Sequence, residues 1–259
     1  MKSFRKYTLQ NRLAWDEIAQ VRYDALSPKA RYFAGGSSTL DRRAVAALGD
    51  VTGKTLLHLQ CATGEETLSW SILGAAAVGV DISPRQIEIA RQMALDAGLD
   101  TRFMAADVYD LPAELLSPGF DIVYTGGGVL VWLPDLDVWA RMVASAMKPG
   151  GIFLLLEEHP IQNSLQVVDG ELSITADYFR RSHPWKGSGW AHFKGGEGAH
   201  EIKYEFAWPL GDVVTALAAS GLRIQRLVEY PTAAEWRTGA FAAQTTGLPG
   251  QYLLTAVKE

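Results

Sequence analysis

The residues best suited to chemistry in this chain are acids that close apolar runs. Val78-Gly79-Val80-Asp81-Ile82-Ser83 ends one run on Asp81, and Ala105-Ala106-Asp107-Val108 ends another on Asp107. A carboxylate at the end of a parallel strand can accept hydrogen bonds from ribose hydroxyls. An acid at the end of the next strand can accept from the exocyclic amine of adenine. Asp81 has a rival use as a helix cap. Ser83 already stands at the N-cap position ahead of Pro84, which leaves Asp81 for a ligand. Asp107 gains meaning only beside Asp81, because a loop aspartate is usually just solvated.

The stretch LLHLQCATGEET (56–67) precedes both acids. An apolar run stops at small residues and a helical pattern follows. Small residues there let a ligand approach the backbone, and the helix start offers free N–H groups. Glu65 and Glu66 fall in the first helical turn, where they repel a pyrophosphate but accept a cationic or zwitterionic ligand. This favours S-adenosylmethionine over NAD. The stretch GDVTGKT (49–55) looks like a phosphate loop, but it has too few residues between its glycines. The strand also follows this loop instead of preceding it.

These residues need a scaffold that gathers strand ends. Residues 1–50 read as helical, with Leu9, Leu13 and Ile18 as the apolar positions of the first helix and a short helix over 41–48. From residue 54 strands alternate with helices: strands over 54–60, 77–81, 101–105, 120–124 and 152–157, and helices over 65–73, 84–97 and 136–147. Ser83 and Gly98 cap the second of those helices. Several strands are apolar on both faces, which predicts a parallel sheet covered by helices. Residues 158–208 break the rhythm, and a helix over 210–220 and strands over 222–230 and 251–258 complete it.

With these elements in place, residues 54–157 resemble class I S-adenosylmethionine-dependent methyltransferases. The matching pieces are LLHLQCATG (56–64), GVDIS (79–83), ADVYDLP (106–112), FDIVYTGGGVLVWLPDL (120–136) and MKPGG (147–151). The N-terminal NRLAWD (11–16) and the LHLQC loop are similar to a bacterial branch of that family. The resemblance implies an α/β fold: a doubly wound, seven-stranded, mostly parallel Rossmann-like sheet with its last strand antiparallel. It divides the chain into a helical cap (1–50), a cofactor-binding core (51–157), an inserted lid (158–208) and the closing helix and strands (209–259). It also implies S-adenosylmethionine as cofactor and S-adenosylhomocysteine as product, with no metal. The residues expected at the cofactor are Trp15, Tyr23, Gln60, Cys61, Gly64, Asp81, Ile82, Asp107, Val108 and Thr125. The family loop reads D/E-x-G-x-G-x-G, and this chain has His58, Gln60, Ala62 and Gly64 at those places. Gln60 can bond the methionine end of the cofactor, while His58 replaces an acid that helps hold the ammonium.

The acceptor is expected past the fourth and fifth strands. His159 is the candidate base, with a histidine bonded to its own loop backbone as the equal alternative. Trp132, His183, Trp185 and Trp190, with His192, suggest aromatic walls for a planar or cationic acceptor, hinged by Gly187, Gly189, Gly195 and Gly196. A core role for each tryptophan is the plainer reading. The net charge of −5, without a basic run, argues against nucleic acid. One cysteine fits a reducing cytoplasm, and neither a signal peptide nor a membrane span is read. The five histidines and Cys61 form no compact metal motif. The sequence is compatible with a homo-oligomer and does not specify one. Two rival functions are an NAD-dependent oxidoreductase and a non-catalytic S-adenosylmethionine-binding regulatory module.

Overall fold

The computed structural model of the chain describes residues 4–26, 28–117, 119–180, 183–190, 193–231 and 247–259. Three helices come first: α1 (Arg5–Leu26), α2 (Ala30–Ala34) and α3 (Arg42–Leu48). The core then runs β1 (Thr55–Leu59), α4 (Glu65–Ile72), β2 (Ala76–Asp81), α5 (Pro84–Ala97), β3 (Arg102–Ala105), β4 (Phe120–Gly126), α6 (Leu136–Ala146) and β5 (Met147–Glu158). Two small hairpins follow: β6 (Leu165–Val168) with β7 (Glu171–Ile174), and β8 (Trp185–Gly187) with β9 (Lys203–Glu205). Helix α7 (Leu210–Ala219) and strands β10 (Leu222–Tyr230) and β11 (Gln251–Lys258) return to the core.

The seven-stranded sheet has the order β10-β11-β5-β4-β1-β2-β3. Strand β11 is antiparallel to both neighbours, and the pairs from β5 to β3 are parallel. Alternation along each strand sends Leu57 and Leu59 to one face and Leu56 and His58 to the other. The first face packs on α6 and α7 through Trp139, Val143 and Leu217. The second packs on α3 and α4 through Ala44 and Trp70, and α5 extends it with Ile87 and Ala90 against Phe103. This is the doubly wound, Rossmann-like sheet expected from the sequence. The chain leaves β1 towards β2 on one side and returns to β4 on the other. Connections diverge there, and a crevice opens beyond the strand ends.

Local chemistry explains most boundaries. Ser83 Oγ accepts from Gln86 N at 3.1 Å, and Gly98 ends α5 at φ 68°. The GDVTGKT stretch precedes β1, which removes the phosphate-loop geometry. Strand β5 starts earlier than expected, because Met147 already pairs with Phe120 before a register irregularity.

Helix α1 departs from its apolar pattern. Leu9 and Leu13 are 51% and 42% exposed, and only Ile18 of the three expected positions is buried. The inward face mixes apolar Ala14, Ile18 and Ala19 with buried Thr8 and Asn11. Asn11 exchanges two hydrogen bonds with the Tyr204 backbone, at 2.9 and 2.7 Å. Asp16 Oδ1 accepts from Ser83 Oγ at 2.6 Å and Arg85 N at 3.1 Å. The Glu17 carboxylate accepts from His200 N and Glu201 N. Helix α1 is therefore a polar clamp joining the start of α5 to the segment around β9.

This packing predicts opposite outcomes at adjacent positions. Leu13→Gln should change stability by no more than ~0.5 kcal/mol. Ala14→Leu, at a fully buried site, should cost about 1–3 kcal/mol by overpacking. Urea unfolding of the two variants checks this.

Candidate active site

The loop after β1 turns on left-handed backbone. Gln60, Ala62 and Gly64 have φ of 57°, 49° and 86°. These are the three places where the family pattern carries glycine, so the loop keeps a glycine-type conformation although two of the residues have side chains. A non-glycine residue in that region costs about 1–2 kcal/mol. Neighbouring bonds hold it there. Asp81 Oδ2 accepts from Ala62 N and Asp81 Oδ1 from Ser83 N, both at 2.9 Å. Gln60 Nε2 donates to Val129 O at 3.1 Å, and Cys61 N donates to Val80 O at 2.9 Å. Gly64 shapes the loop instead of lining the cavity. A Cβ there would lie 2.6 Å from Phe103 Cε1.

Beyond this loop lies a cleft of about 320 Å³. Gln60, Cys61, Asp81, Ile82, Asp107 and Val108 line it, as does Trp15 from α1. Two side-chain oxygens at its wall, Gln60 Oε1 and Gln86 Oε1, are buried without a hydrogen-bond partner among the described residues. Unmet buried acceptors suit a ligand rich in N–H and O–H groups. Asp81 is buried and its carboxyl is raised, chiefly by burial, with the Ser83 and Ala62 amides opposing. The Cys61 thiol is raised by burial as well.

Charges of both signs meet at one end of the cleft. His58 Nδ1 lies 2.8 Å from Thr67 Oγ1, and burial lowers the ring to about 3, so His58 is neutral. Glu66 reaches the same wall from α4. Burial raises it to about 7, while a 2.8 Å hydrogen bond from the Tyr124 hydroxyl opposes the rise. Arg22 Nη1 donates to Thr63 Oγ1 at 2.5 Å and sits 3.4 Å from Glu65 Oε1. Sequence reasoning read Glu66 only as a first-turn charge suited to a cationic ligand, and it did not select Arg22. Arg22 stands two helical turns after Trp15, a spacing that shares a face and would have pointed to it.

A second chamber of about 240 Å³ lies beside the first, and Trp15, Arg22, Gly127, Gly128 and Trp132 line both. Its walls are Trp190, Phe193, Phe206 and Trp208, and Glu157, Glu158 and Glu205 also line it. Trp15 lies 5.0 Å from Trp132 and 4.5 Å from Trp190 between ring centroids. Glu157 accepts from four backbone amides, those of Gly128, Val129, Leu130 and Glu158. Burial and the neighbouring Glu158 raise Glu157 to about 7 against those donors.

Several expected residues lie elsewhere. Tyr23 packs beside the Phe33 cluster with the Lys29 ammonium over its ring, while Arg22 takes the cleft position. Thr125 is fully buried and gives its hydroxyl to Leu59 O, so only the glycines after it reach the cleft. His159 lines neither chamber. Its Nδ1 accepts from Ile161 N at 3.2 Å, and its Nε2 lies 2.9 Å from Glu229 Oε1. Burial lowers its pKa and Glu229 opposes this, and both ring nitrogens already face partners on its own loop and on β10. His183 and Trp185 are exposed and line neither chamber, because β8 sits outside the aromatic cluster. His192 is outside the described residues. Gly196 is no open hinge, since a Cβ there would meet Trp190 O at 2.7 Å. Among the described residues there is no cluster of metal-type ligands and no helix long and apolar enough to cross a membrane.

Known proteins resemble this chain in sequence and in fold. Residues 56–151 match the family described as Methyltransferase domain. A ubiquinone biosynthesis O-methyltransferase of Xanthomonas euvesicatoria is 30% identical over 212 residues, covering 81% of this chain and 78% of that protein. The match to the Bordetella pertussis protein of the same description is 31% over 125 residues, 48% of this chain and about half (51%) of that one. Among solved structures, an S-adenosylmethionine-dependent methyltransferase from Mesorhizobium loti superposes with a TM-score of 0.64 at 24% identity, covering 83% of this chain and 96% of that one. The chain belongs to the class I S-adenosylmethionine-dependent methyltransferase family.

The loop geometry gives a signed prediction. Ala62→Gly relieves a left-handed alanine and should raise stability by roughly 0.5–1 kcal/mol. Gly64→Ala adds strain and a clash with Phe103 and should cost about 2–4 kcal/mol. Thermal denaturation monitored by circular dichroism reads both.

Proposed function

We propose that the protein transfers a methyl group from S-adenosylmethionine to a small-molecule acceptor by in-line displacement. The observation that carries this reading is the adjacency of the two chambers, which share Trp15, Arg22, Gly127, Gly128 and Trp132 as walls. One offers carboxylates and unmet acceptors to a nucleoside, and the other offers aromatic walls to a second molecule. The relatives described as O-methyltransferases of ubiquinone biosynthesis support a small acceptor over a macromolecule.

In this reading Asp81 takes the ribose hydroxyls with the lone pairs left over from Ala62 and Ser83. Asp107 meets the adenine amine, with Ile82 and Val108 beside the ring. Glu66 and Gln60 face the ammonium of the methionine end, and Arg22 faces its carboxylate. The carboxylate missing at position 58 is thereby supplied from α4. The cofactor brings an electrophilic methyl on a sulfonium. The chain aligns the acceptor with it and excludes water, which is where much of the rate arises in such displacements. Residues 158–208 supply Trp190, Phe193 and Phe206 as the cover of the acceptor chamber. The NAD-dependent alternative is disfavoured by Glu65 and Glu66 in the first turn of α4, where a pyrophosphate would lie.

Calorimetric titration tests the cofactor assignment. S-adenosylmethionine and S-adenosylhomocysteine should bind in the micromolar range and NAD should not. Heat with NAD alone would reverse the assignment. Arg22→Met should weaken both sulfur ligands by at least about tenfold, through loss of a charge-assisted contact.

Protonation provides a second readout. Glu66 is half-protonated near pH 7 in the free protein. An ammonium beside it favours the carboxylate and lowers its pKa. Binding at pH 7 should therefore release protons, seen as a dependence of the binding heat on buffer ionisation enthalpy. Glu66→Gln should abolish that release.

A further inference from the structure

We infer that Tyr252 is the polar anchor of the second chamber, and that the acceptor is an uncharged molecule whose apolar body ends in an oxygen held by that hydroxyl; the acceptor role rests on the methyltransferase reading. Tyr252, on β11, is fully buried and lines the chamber, yet its hydroxyl has no hydrogen-bond partner among the described residues. The ring belongs to the core cluster packed on α6 and α7, so packing fixes where the hydroxyl stands. Burial, with Glu157 and Tyr178 nearby, raises its pKa well above the ordinary phenol value, so it keeps its proton and can donate. A buried hydroxyl left unmet is costly, and a ligand oxygen set against it satisfies the donor.

The charged groups of the lining are already matched. Arg22 donates to Thr63 and sits beside Glu65. Glu157 accepts from four backbone amides. Glu205 lies 3.5 Å from the Lys203 ammonium, and Glu158 has partners of its own. The chamber therefore offers no unmatched ion to a ligand, and an ion entering it would lose water without gaining a counter-ion. Its Trp132, Phe206 and Trp208 walls suit an apolar, planar body.

The position of Tyr252 also sets the direction of the acceptor. Tyr252 lines the second chamber and not the cofactor cleft, and β5 and β4 stand between its strand and β1 in the sheet. The walls common to both spaces include Gly127, Gly128 and Trp132, which follow β4. An oxygen held at Tyr252 is thus at the far end from the cofactor, and the atom that meets the methyl group lies at the shared walls. The acceptor carries two polar positions, one for each end, with the apolar body between them. Tyr252 is a positioning residue in this arrangement.

The test is binding to protein saturated with S-adenosylhomocysteine, followed by tryptophan fluorescence and calorimetry. The probes are acetophenone, α-methylstyrene, benzoate and benzamidinium, which share one planar shape. They present a neutral oxygen, an apolar methylene, an anion and a cation at the same place. Acetophenone should bind about five- to tenfold more tightly than α-methylstyrene, and more tightly than either ion. Tyr252→Phe should erase the preference over α-methylstyrene and leave the affinity for α-methylstyrene unchanged. A merely structural hydroxyl would not single out the probe that bears the oxygen. Unchanged S-adenosylhomocysteine affinity certifies the fold of the variant. No preference in the native protein, or one that survives Tyr252→Phe, overturns the anchor. Equal or tighter binding of benzoate or benzamidinium overturns the uncharged acceptor. Absence of acetophenone binding in protein that binds S-adenosylhomocysteine overturns both. Failure of the protein to bind S-adenosylhomocysteine overturns the methyltransferase reading itself, and the acceptor role with it.

Discussion

The Asp81 carboxylate is the interaction on which the rest of the site depends. One oxygen holds the Ala62 amide and the other holds the Ser83 amide, so the end of β2 is tied both to the loop after β1 and to the start of α5. Without that brace two non-glycine residues would have little reason to stay in left-handed backbone, and the loop would relax into the cleft. The strain stored there is of the kind found at ligand-binding turns, held by surrounding bonds. Asp81 also lines the cleft, and a carboxylate that accepts two bonds keeps further lone pairs. The brace and the proposed ribose contact are therefore compatible uses of one side chain.

Helix α1 extends the same logic across both chambers. Its polar side chains grip α5 through Asp16 and the β9 segment through Asn11, while Trp15 lines both chambers. The residues of NRLAWD thus have separable jobs: docking, cavity wall and docking again, with Ala14 small enough to permit the approach. Because one helix lines both chambers, loosening it should disturb both together. The second chamber depends further on Trp190 and Phe193, which pack with Ala14 and Ile18 of α1.

The strands and α5 were legible because their signals are local. Alternating apolar residues set the sheet, and Ser83, Pro84 and Gly98 mark the helix ends. Asp81, Asp107 and Gln60 were legible because strand ends in this fold converge on one crevice. The misreadings share a cause, which is that side-chain direction is set by packing beyond the local sequence. Thr125 stands at a strand end but turns into the β4–β1 seam. His159 is drawn to Glu229 on β10, away from both chambers. Leu9 and Leu13 were assigned inward because apolar residues normally face a core, whereas α1 turns Asn11, Ala14 and Ile18 inward and leaves both leucines on its outer side. Arg22 reaches the cleft from the face of α1 and Glu66 from the start of α4. Their convergence is tertiary, set by how α1 and α4 pack around the strand ends.

The most direct test of the central claim is a crystal structure of the protein grown with S-adenosylhomocysteine. The account predicts the ribose hydroxyls at Asp81, the adenine amine at Asp107, and the amino-acid end between Glu66 and Arg22. The sulfur should face the opening walled by Trp15 and Trp132. A ligand bound elsewhere, or a folded protein with this cleft still empty at saturating ligand, would contradict it.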